Sequence, residues 1–239
     1  MLLMVKEWAG GIIYQRSLCS FREGTMVEQS EAIIRLSKEQ IGPASEMLVD
    51  AFFNDAKLTH VLPDDNTRKE QGRHIFAFHL RYGLNYGRVY ATSPTLEGVA
   101  VWLPSDLSEV TFWRAMRSGG MALQKGLSKD AMKRLLAFAE EVDVYHKKHV
   151  SGRHCYLFFI GVDPRFQGRG YGGTLIRPML DRMDGRGMAC YLNTQNERNI
   201  SLYEHFGFSV VEQISLPGSG ILHTGMIRYP IVREGTSKG

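Results

Sequence analysis

Three glycines at alternate positions, Gly168, Gly170 and Gly172, form the stretch of this sequence best suited to chemistry. They follow the apolar run YLFFIGV and precede a segment with helical periodicity. Glycine allows the backbone to adopt φ > 0 and to approach a ligand closely. The N-terminus of a helix adds unpaired N–H groups and a positive dipole end. The pattern therefore predicts a phosphate-binding turn.

Two common phosphate-binding motifs do not fit this turn. A P-loop needs Gly-Lys-Ser/Thr, whereas Gly173 is followed directly by Thr174. The glycine spacing of the dinucleotide motif G-x-G-x-x-G is matched by Gly168, Gly170 and Gly173. In that motif the turn follows the strand directly, whereas here residues 163–167 separate the two. The next strand, YLNT, also lacks the acid that would hold a ribose. A dinucleotide-binding domain is therefore disfavoured.

A third pattern, Gln-x-x-Gly-x-Gly, resembles the acetyl-CoA-binding core of the GNAT acetyltransferase superfamily. It is matched by QGRGYG (167–172), which follows a strand ending in Val-Asp-Pro and precedes NERNISLYEHFGF (196–208). The resemblance is strong over about residues 155–211 and weaker back to AVWLP and the helical insert after it. Within the superfamily the chain looks most like a branch that includes puromycin N-acetyltransferase.

The resemblance implies that backbone amides of the turn bind the pyrophosphate of acetyl-CoA. It also implies that the strand before the turn splays from the next one, so that Ile160 and Val162 pair with the pantetheine amides; the alternative is a plain core strand. Arg169 either adds a charge near the phosphate or is a solvated loop residue. Asn199 either orients pantetheine or caps a short helix. The predicted cofactor-binding residues are Ile160, Gly161, Val162, Gln167, Gly168, Arg169, Gly170, Tyr171, Gly172, Gly173, Asn193 and Asn199.

The resemblance makes Tyr203 the predicted catalytic residue, as the donor of a proton to the departing CoA thiolate. The alternative is a half-buried tyrosine that only packs its helix. A backbone N–H near Val162 is the predicted oxyanion donor. The general base is not identified, and the candidates within reach in chain order are Glu140, Glu141, Asp143 and His154.

No metal site is predicted. His146, His149 and His154 lack the spacing of a metal motif and are interpreted as surface or cleft-wall residues. Cys155 and Cys190 begin the two apolar strands and are interpreted as small core residues. The odd number of cysteines without metal spacing indicates reduced thiols and a cytoplasmic protein.

The elements around the turn predict an α/β fold of GNAT type. Its mixed central sheet should be antiparallel in the N-terminal part, with a splayed parallel pair around the glycine turn and helices on both faces. Strands are predicted at 32–36, 88–93, 97–104, 154–162 and 188–194, with two more at the end. Helices are predicted from 41 and over 64–86, 108–126, 129–148, 172–183 and 200–206.

Composition bounds the remaining possibilities. The chain has 239 residues, 44% of them hydrophobic and 23% charged, which suits one globular domain. The net charge of +4 comes from scattered Lys and Arg, so nucleic acid is not predicted, and no apolar run is long enough to span a membrane. We expect an N-terminal extension (1–27), a GNAT domain (28–232) and a tail (233–239).

The predicted activity is transfer of an acetyl group from acetyl-CoA to a primary amine of a small molecule. The acceptor pocket should come from residues 52–60 and 76–86 and from the helices after Trp102. Acetylation of a protein or peptide amine stays open, and so does a non-catalytic acyl-CoA-binding sensor. A monomer or homodimer is expected.

Overall fold

The computed structural model describes residues 33–150 and 152–231. The predicted extension (1–27), the predicted start of the domain and the tail (233–239) lie outside these residues. The described chain contains a seven-stranded mixed sheet in the order β1-β2-β3-β4-β5-β7-β6. Its strands are β1 (Ile34–Arg35), β2 (Arg88–Ala91), β3 (Gly98–Pro104), β4 (Cys155–Val162), β5 (Cys190–Thr194), β6 (Ser209–Ser215) and β7 (Leu222–Arg228).

The pairing confirms the predicted fold. β1 to β4 form an antiparallel series, β4 and β5 are parallel, and β7 pairs antiparallel with both β5 and β6. The helices are α1 (Ile41–Phe52), α2 (Ala56–Val61), α3 (Asp65–Tyr86), α4 (Phe112–Arg117), α5 (Gly120–Gly126), α6 (Lys129–His149), α7 (Tyr171–Asp184) and α8 (Arg198–His205). No helix among residues 33–150 and 152–231 has the length and apolar character needed to cross a membrane.

Two features of the helices differ from the sequence prediction. The single helix expected over 108–126 is divided into α4 and α5, because Gly119 adopts a φ of 92° and interrupts the helical backbone. The helix α2 was not predicted. It begins after Asp55, whose carboxylate accepts hydrogen bonds from the N–H groups of Lys57 and Leu58.

The core lies on both faces of the sheet, as the continuous apolar strands predicted. Along β3 the side chains alternate: Val99, Val101 and Leu103 join the first core cluster with α1 and α3, and Ala100 and Trp102 join the second. The second cluster contains the buried side chains of α7 and α8. The parallel pair therefore lies between two helical layers.

Candidate active site

The parallel pair opens partway along its length. β4 and β5 are paired at three positions, the last of which joins Leu157 to Leu192. β4 nevertheless continues to Val162 and β5 to Thr194. The expected splay is therefore present. The Leu157–Leu192 pair forms the apex of this opening. The side of β4 from there to Val162 that faces away from β3 forms its open edge.

A β-bulge in β4 lies directly beyond the apex. Val101 of β3 faces Phe159 and Trp102 faces Leu157, so Phe158 is the additional residue. A bulge interrupts side-chain alternation, and both Phe158 and Phe159 pack against the first core cluster. Because a bulge also bends its strand, it gives a physical reason for β4 to leave β5 at this point.

Alternate residues of β4 direct their backbone groups toward the open edge. The N–H of Asp163 donates to Glu97 O at 2.9 Å, on the side of β3. Bonded and non-bonded pairs alternate in an antiparallel ladder, so Gly161 bonds to β3 whereas Ile160 and Val162 face away from it. The backbone N–H and C=O groups of Ile160 and Val162 therefore lie at the open edge, where an amide-bearing chain can add like a further strand.

Gly161 has a packing role. A Cβ atom at this position would lie 2.6 Å from Leu48 Cδ2 and 2.8 Å from Phe52 Cε2, so the glycine allows α1 to approach β4. Its backbone faces β3. A contact between Gly161 and the cofactor stays a prediction.

The glycine turn follows the open edge and begins α7. Gly168 and Gly170 have φ values of 77° and 86°, a conformation that other residues rarely adopt. Gly170 is the N-cap residue and provides no side-chain cap; the first helical bond runs from Thr174 N to Gly170 O at 3.1 Å. The N–H groups of residues 171–173 therefore have no helical acceptor and point out of the helix end.

The two glycines inside α7 differ in their surroundings. A Cβ at Gly173 would lie 3.4 Å from Phe206 Cζ, so this glycine serves the packing of α8 on α7. Gly172 has an ordinary φ, and a Cβ there would meet no atom within 4 Å. Since neither the backbone nor the packing requires glycine at 172, the space in front of it suits a ligand that approaches the helix end.

Three predicted side chains surround the turn. Gln167 donates from Nε2 to Val162 O at 3.0 Å and so joins the turn to the strand. The Arg169 guanidinium lies 5.4 Å from the ring centre of Phe166, and Tyr171 packs edge-on against that ring at 6.0 Å. Arg169 is exposed beside the helix end. Its contact with a phosphate stays a prediction.

Tyr203 lies on the α8 side of the apex. It belongs to the second core cluster, which also contains Leu157 and Leu192, and its side chain is 6% exposed. Burial raises the pKa of its phenol to about 12. The phenol is therefore protonated at neutral pH and available as a hydrogen-bond donor.

The two predicted asparagines lie in different surroundings. Asn193 follows the apex in β5 and donates from Nδ2 to Tyr156 Oη at 2.6 Å, which connects the two strands. Asn199 lies inside α8, and it is Asn196 whose Oδ1 accepts from the N–H of Arg198 at the start of that helix. The alternative that Asn199 caps the helix is therefore wrong. A role toward pantetheine stays a prediction for both asparagines.

Two basic residues that the sequence analysis missed lie on the face of the sheet opposite α8, and one of them, His79, lies beside the bulge. His79 of α3 packs against Phe158 and Phe159, with ring centres 5.1 and 6.1 Å away. Lys57 of α2 lies with Nζ 5.6 Å from the ring centre of Phe138 in α6. Burial, with the charge of Lys57, lowers the pKa of His79 to about 3, and burial lowers the pKa of Lys57. Both residues lie in the segments predicted to form the acceptor pocket (52–60 and 76–86). The helical periodicity of apolar residues, however, does not show which polar residues of a helix point into the protein.

Two of the four base candidates are engaged in other contacts. His154 and His146 share a buried Nε2–Nε2 hydrogen bond of 2.7 Å, so the prediction of surface positions is wrong for both. Burial lowers the pKa of both rings, so both are neutral at neutral pH. Because Nδ1 of His154 donates to Gly152 O at 3.0 Å, its Nε2 accepts from Nε2 of His146. Asp143 pairs with Lys147 at 2.7 Å.

The other two candidates, Glu140 and Glu141, line a pocket of about 660 Å³ between α2, α6 and the β6–β7 loop. Glu141 accepts a hydrogen bond from the N–H of Gly218 in that loop. Neither lies at the apex in any contact of the described residues. The general base therefore stays unassigned.

Cys155 and Cys190 face each other across the parallel pair and are both buried, which confirms the prediction of core residues. Contact with Cys190, together with burial, raises the pKa of the Cys155 thiol. His149 contacts Glu212 at 2.6 Å. Within the part of the chain that the structure describes, no group of three or more His, Cys, Asp or Glu residues is arranged to hold a metal ion.

Solved structures share this architecture. A structure from Corynebacterium glutamicum, described as histone acetyltransferase HPA2 and related acetyltransferase, has a TM-score of 0.58 and 18% identity, covering 85% of this chain and 98% of that one. The polyamine N-acetyltransferase of Drosophila melanogaster has a TM-score of 0.53 and 15% identity, covering 82% of this chain and 98% of that one. The chain therefore shares its fold with these two structures.

Sequence comparison gives the family. Residues 97–208 match the model of the acetyltransferase (GNAT) family, a range that contains the open edge, the glycine turn and α8. An uncharacterized N-acetyltransferase of Schizosaccharomyces pombe is 27% identical over 192 residues, covering 76% of each chain. The chain is a GNAT-family N-acetyltransferase, and GNAT acetyltransferases use acetyl-CoA as co-substrate.

Proposed function

We propose that the protein transfers the acetyl group of acetyl-CoA to a primary amine of a small molecule by direct attack, with Tyr203 protonating the CoA thiolate. The observation that carries this proposal is the open edge of β4, which continues into the glycine turn. Ile160 offers its N–H and C=O groups to pantetheine, and Val162 offers its N–H group, since its C=O accepts from Gln167. The end of α7 offers N–H groups to the pyrophosphate.

The length of the open edge supports this arrangement. From Leu157 to Val162 an extended strand covers about 17 Å, at about 3.3 Å per residue. A pantetheine arm that starts at the turn and follows this edge reaches the apex with its thioester, beside Tyr203. In this pose Val162 lies at the pyrophosphate end, so a backbone N–H at the bulge replaces the one near Val162 as the proposed oxyanion donor.

The proposed chemistry conserves protons within the site. The amine lone pair attacks the carbonyl carbon, the C–S bond breaks, the sulfur gains one proton and the new amide loses one. A thiol has an ordinary pKa of about 8.5, well below the value of about 12 for Tyr203. The phenol therefore stabilises the developing thiolate by a hydrogen bond, and proton transfer is completed as the attacking amine releases its own proton.

The nature of the acceptor is tested by measuring free thiol released from acetyl-CoA with polyamines, aminoglycosides, aminonucleosides, amino acids and basic peptides. The polyamine acetyltransferase among the fold relatives supports a small amine, whereas the relative described as a histone acetyltransferase supports the alternative of a protein amine. Release with a small amine supports the proposal, and release with peptides alone overturns it. Acetyl-CoA binding without any release would favour the sensor alternative.

The role of Tyr203 is tested with Tyr203→Phe, which removes only the hydroxyl. Loss of a proton donor should lower kcat about 100-fold or more, while the Kd for acetyl-CoA stays unchanged. Tyr90→Phe is the matched control, because Tyr90 is buried in the same cluster and its hydroxyl bonds to Arg182. Normal turnover of Tyr203→Phe would remove Tyr203 from the mechanism.

Three narrower statements stay predictions: membership of the branch that includes puromycin N-acetyltransferase, the monomeric or homodimeric state, and the lack of a nucleic-acid partner. The thiol-release panel bears on the first, since it contains aminonucleosides.

A further inference from the structure

We propose that Lys57 binds a carboxylate of the acceptor, so that the preferred acceptors are amines that also carry an acid, as amino acids do. This inference rests on the proposed transfer to a small amine at the apex and specifies the class of that amine.

The ammonium group of Lys57 has an unusual environment. Within residues 33–150 and 152–231, its Nζ makes no hydrogen bond and no ion pair, and it lies 5.6 Å from the ring centre of Phe138. The neighbouring acid, Asp55, uses Oδ1 to accept from the N–H groups of Lys57 and Leu58 at 3.0 and 3.3 Å. Asp55 therefore caps α2 and does not pair with the Lys57 side chain.

Two exposed lysines of the described chain have carboxylate partners. Lys69 contacts Asp50 at 2.7 Å, and Lys148 contacts Glu212 at 2.7 Å. Burial lowers the pKa of Lys57, which means that its surroundings disfavour the charged form. The charge of Asp55 offsets only part of this effect, and an anionic ligand group in contact with the ammonium would offset more of it.

The position of Lys57 connects it to the apex. Its charge contributes to the lowered pKa of His79, so the two side chains are electrostatic neighbours. His79 packs on Phe158 at the bulge, and Phe158 lies 5.7 Å from Tyr156, which flanks the apex. His79 therefore lies near the thioester end of the open edge, on the face opposite Tyr203, and the charge of Lys57 acts on it from the same face. From that face an acceptor can reach the apex without displacing the cofactor.

The charges favour a single carboxylate. Lys57 supplies one positive charge, and the nearby Asp55 would repel a doubly charged phosphate more strongly than a carboxylate. His79 stays neutral over the physiological range and is able to donate a second hydrogen bond through its N–H group. The adjacent pocket carries both signs of charge, which suits an acceptor with an amine and an acid. Its charged or titratable lining residues are His60, Asp130, Lys133, Arg134, Glu140 and Glu141.

The test compares amino acids with their decarboxylated amines: tyrosine with tyramine, lysine with cadaverine, and arginine with agmatine. For at least one pair, kcat/KM should be about 10- to 100-fold higher for the acid-bearing member, the range that a hydrogen bond to a charged group supplies. Lys57→Met keeps the length of the side chain but removes its charge. It should abolish this preference by raising KM for the amino acid, with little effect on the decarboxylated amine.

Lys69→Met is the matched control, because Lys69 also lies over a phenylalanine ring, 5.8 Å from the centre of Phe53, but is exposed and paired with Asp50. It should leave the preference unchanged. A wild-type enzyme that prefers the decarboxylated amines, or a Lys57→Met variant that keeps the preference, overturns the proposal. The proposal is also overturned if Lys57→Met lowers kcat/KM equally for both members of a pair.

Binding separates this inference from the proposed function. Calorimetric titration of the same pairs, with CoA present, needs no turnover. If no thiol is released from acetyl-CoA with any member, the proposed small-amine transfer fails. Tighter binding of the acid by the wild type than by Lys57→Met would still support the carboxylate site, and equal binding would refute it.

Discussion

Gly172 allows the glycine turn to be tested without disturbing the fold. Because the Cα–Cβ bonds of a helix tilt toward its N-terminus, a side chain at 172 would project toward the proposed pyrophosphate. Gly172→Val should raise the Kd for acetyl-CoA roughly 10- to 150-fold. That range corresponds to the loss of one charge-assisted hydrogen bond, about 1.5–3 kcal/mol.

The folded protein should tolerate this change. A Cβ at Gly172 meets no atom within 4 Å, and φ lies in the ordinary range. Valine is a slightly better helix former than glycine, so the free energy of unfolding should change by less than about 0.5 kcal/mol. For a chain of this size such a change moves Tm by no more than about 2 °C.

A matched control is available at the other end of α7. Gly185 has a φ of −62°, and a Cβ there would lie 3.6 Å from Asp181 O, an ordinary contact. The C-terminal end of a helix presents carbonyl groups and offers no site for an anion. Gly185→Val should therefore leave the Kd unchanged. Isothermal titration calorimetry of acetyl-CoA with both variants measures the two Kd values. Wild-type affinity of a folded Gly172→Val protein would refute the pyrophosphate-binding role of the turn.

Three further predictions concern buried contacts. Gly161→Ala should lower the free energy of unfolding, measured by urea denaturation, by about 1–3 kcal/mol, because the new Cβ would lie 2.6 Å from Leu48 Cδ2. Unchanged stability would show that α1 can move away from β4 without cost. Asp184→Ala should cost about 3–5 kcal/mol, since it leaves the buried Arg228 guanidinium without its two carboxylate bonds, and a loss below 1 kcal/mol would contradict this. Burial lowers the pKa of His146 from 6.5 to about 4, so the unfolded chain takes up this proton first and stability should fall as pH falls through that window. His146→Leu should flatten the dependence of Tm on pH, and an unchanged slope would exclude His146 as the cause.

Tertiary structure decided where the site forms. The sequence does not show that pairing of β4 and β5 ends at Leu157 and Leu192, because the register depends on the bulge at Phe158. The sequence also does not distinguish Lys57 from a solvated lysine, because the ring beside its ammonium group belongs to Phe138, which is distant in the chain. Such contacts join separate segments, and local patterns carry no information about them.

The sequence by itself determined the parts whose physics is local. The letters QGRGYG predict the positive φ angles of Gly168 and Gly170 and the start of α7, because glycine alone adopts that backbone readily. Continuous apolar runs predict strands covered on both faces, as β3 and β4 are. The surroundings of each functional group came only from the fold. Burial of Tyr203 by the second core cluster and the bond between Asn193 and Tyr156, 37 residues apart, depend on how layers pack rather than on neighbouring residues.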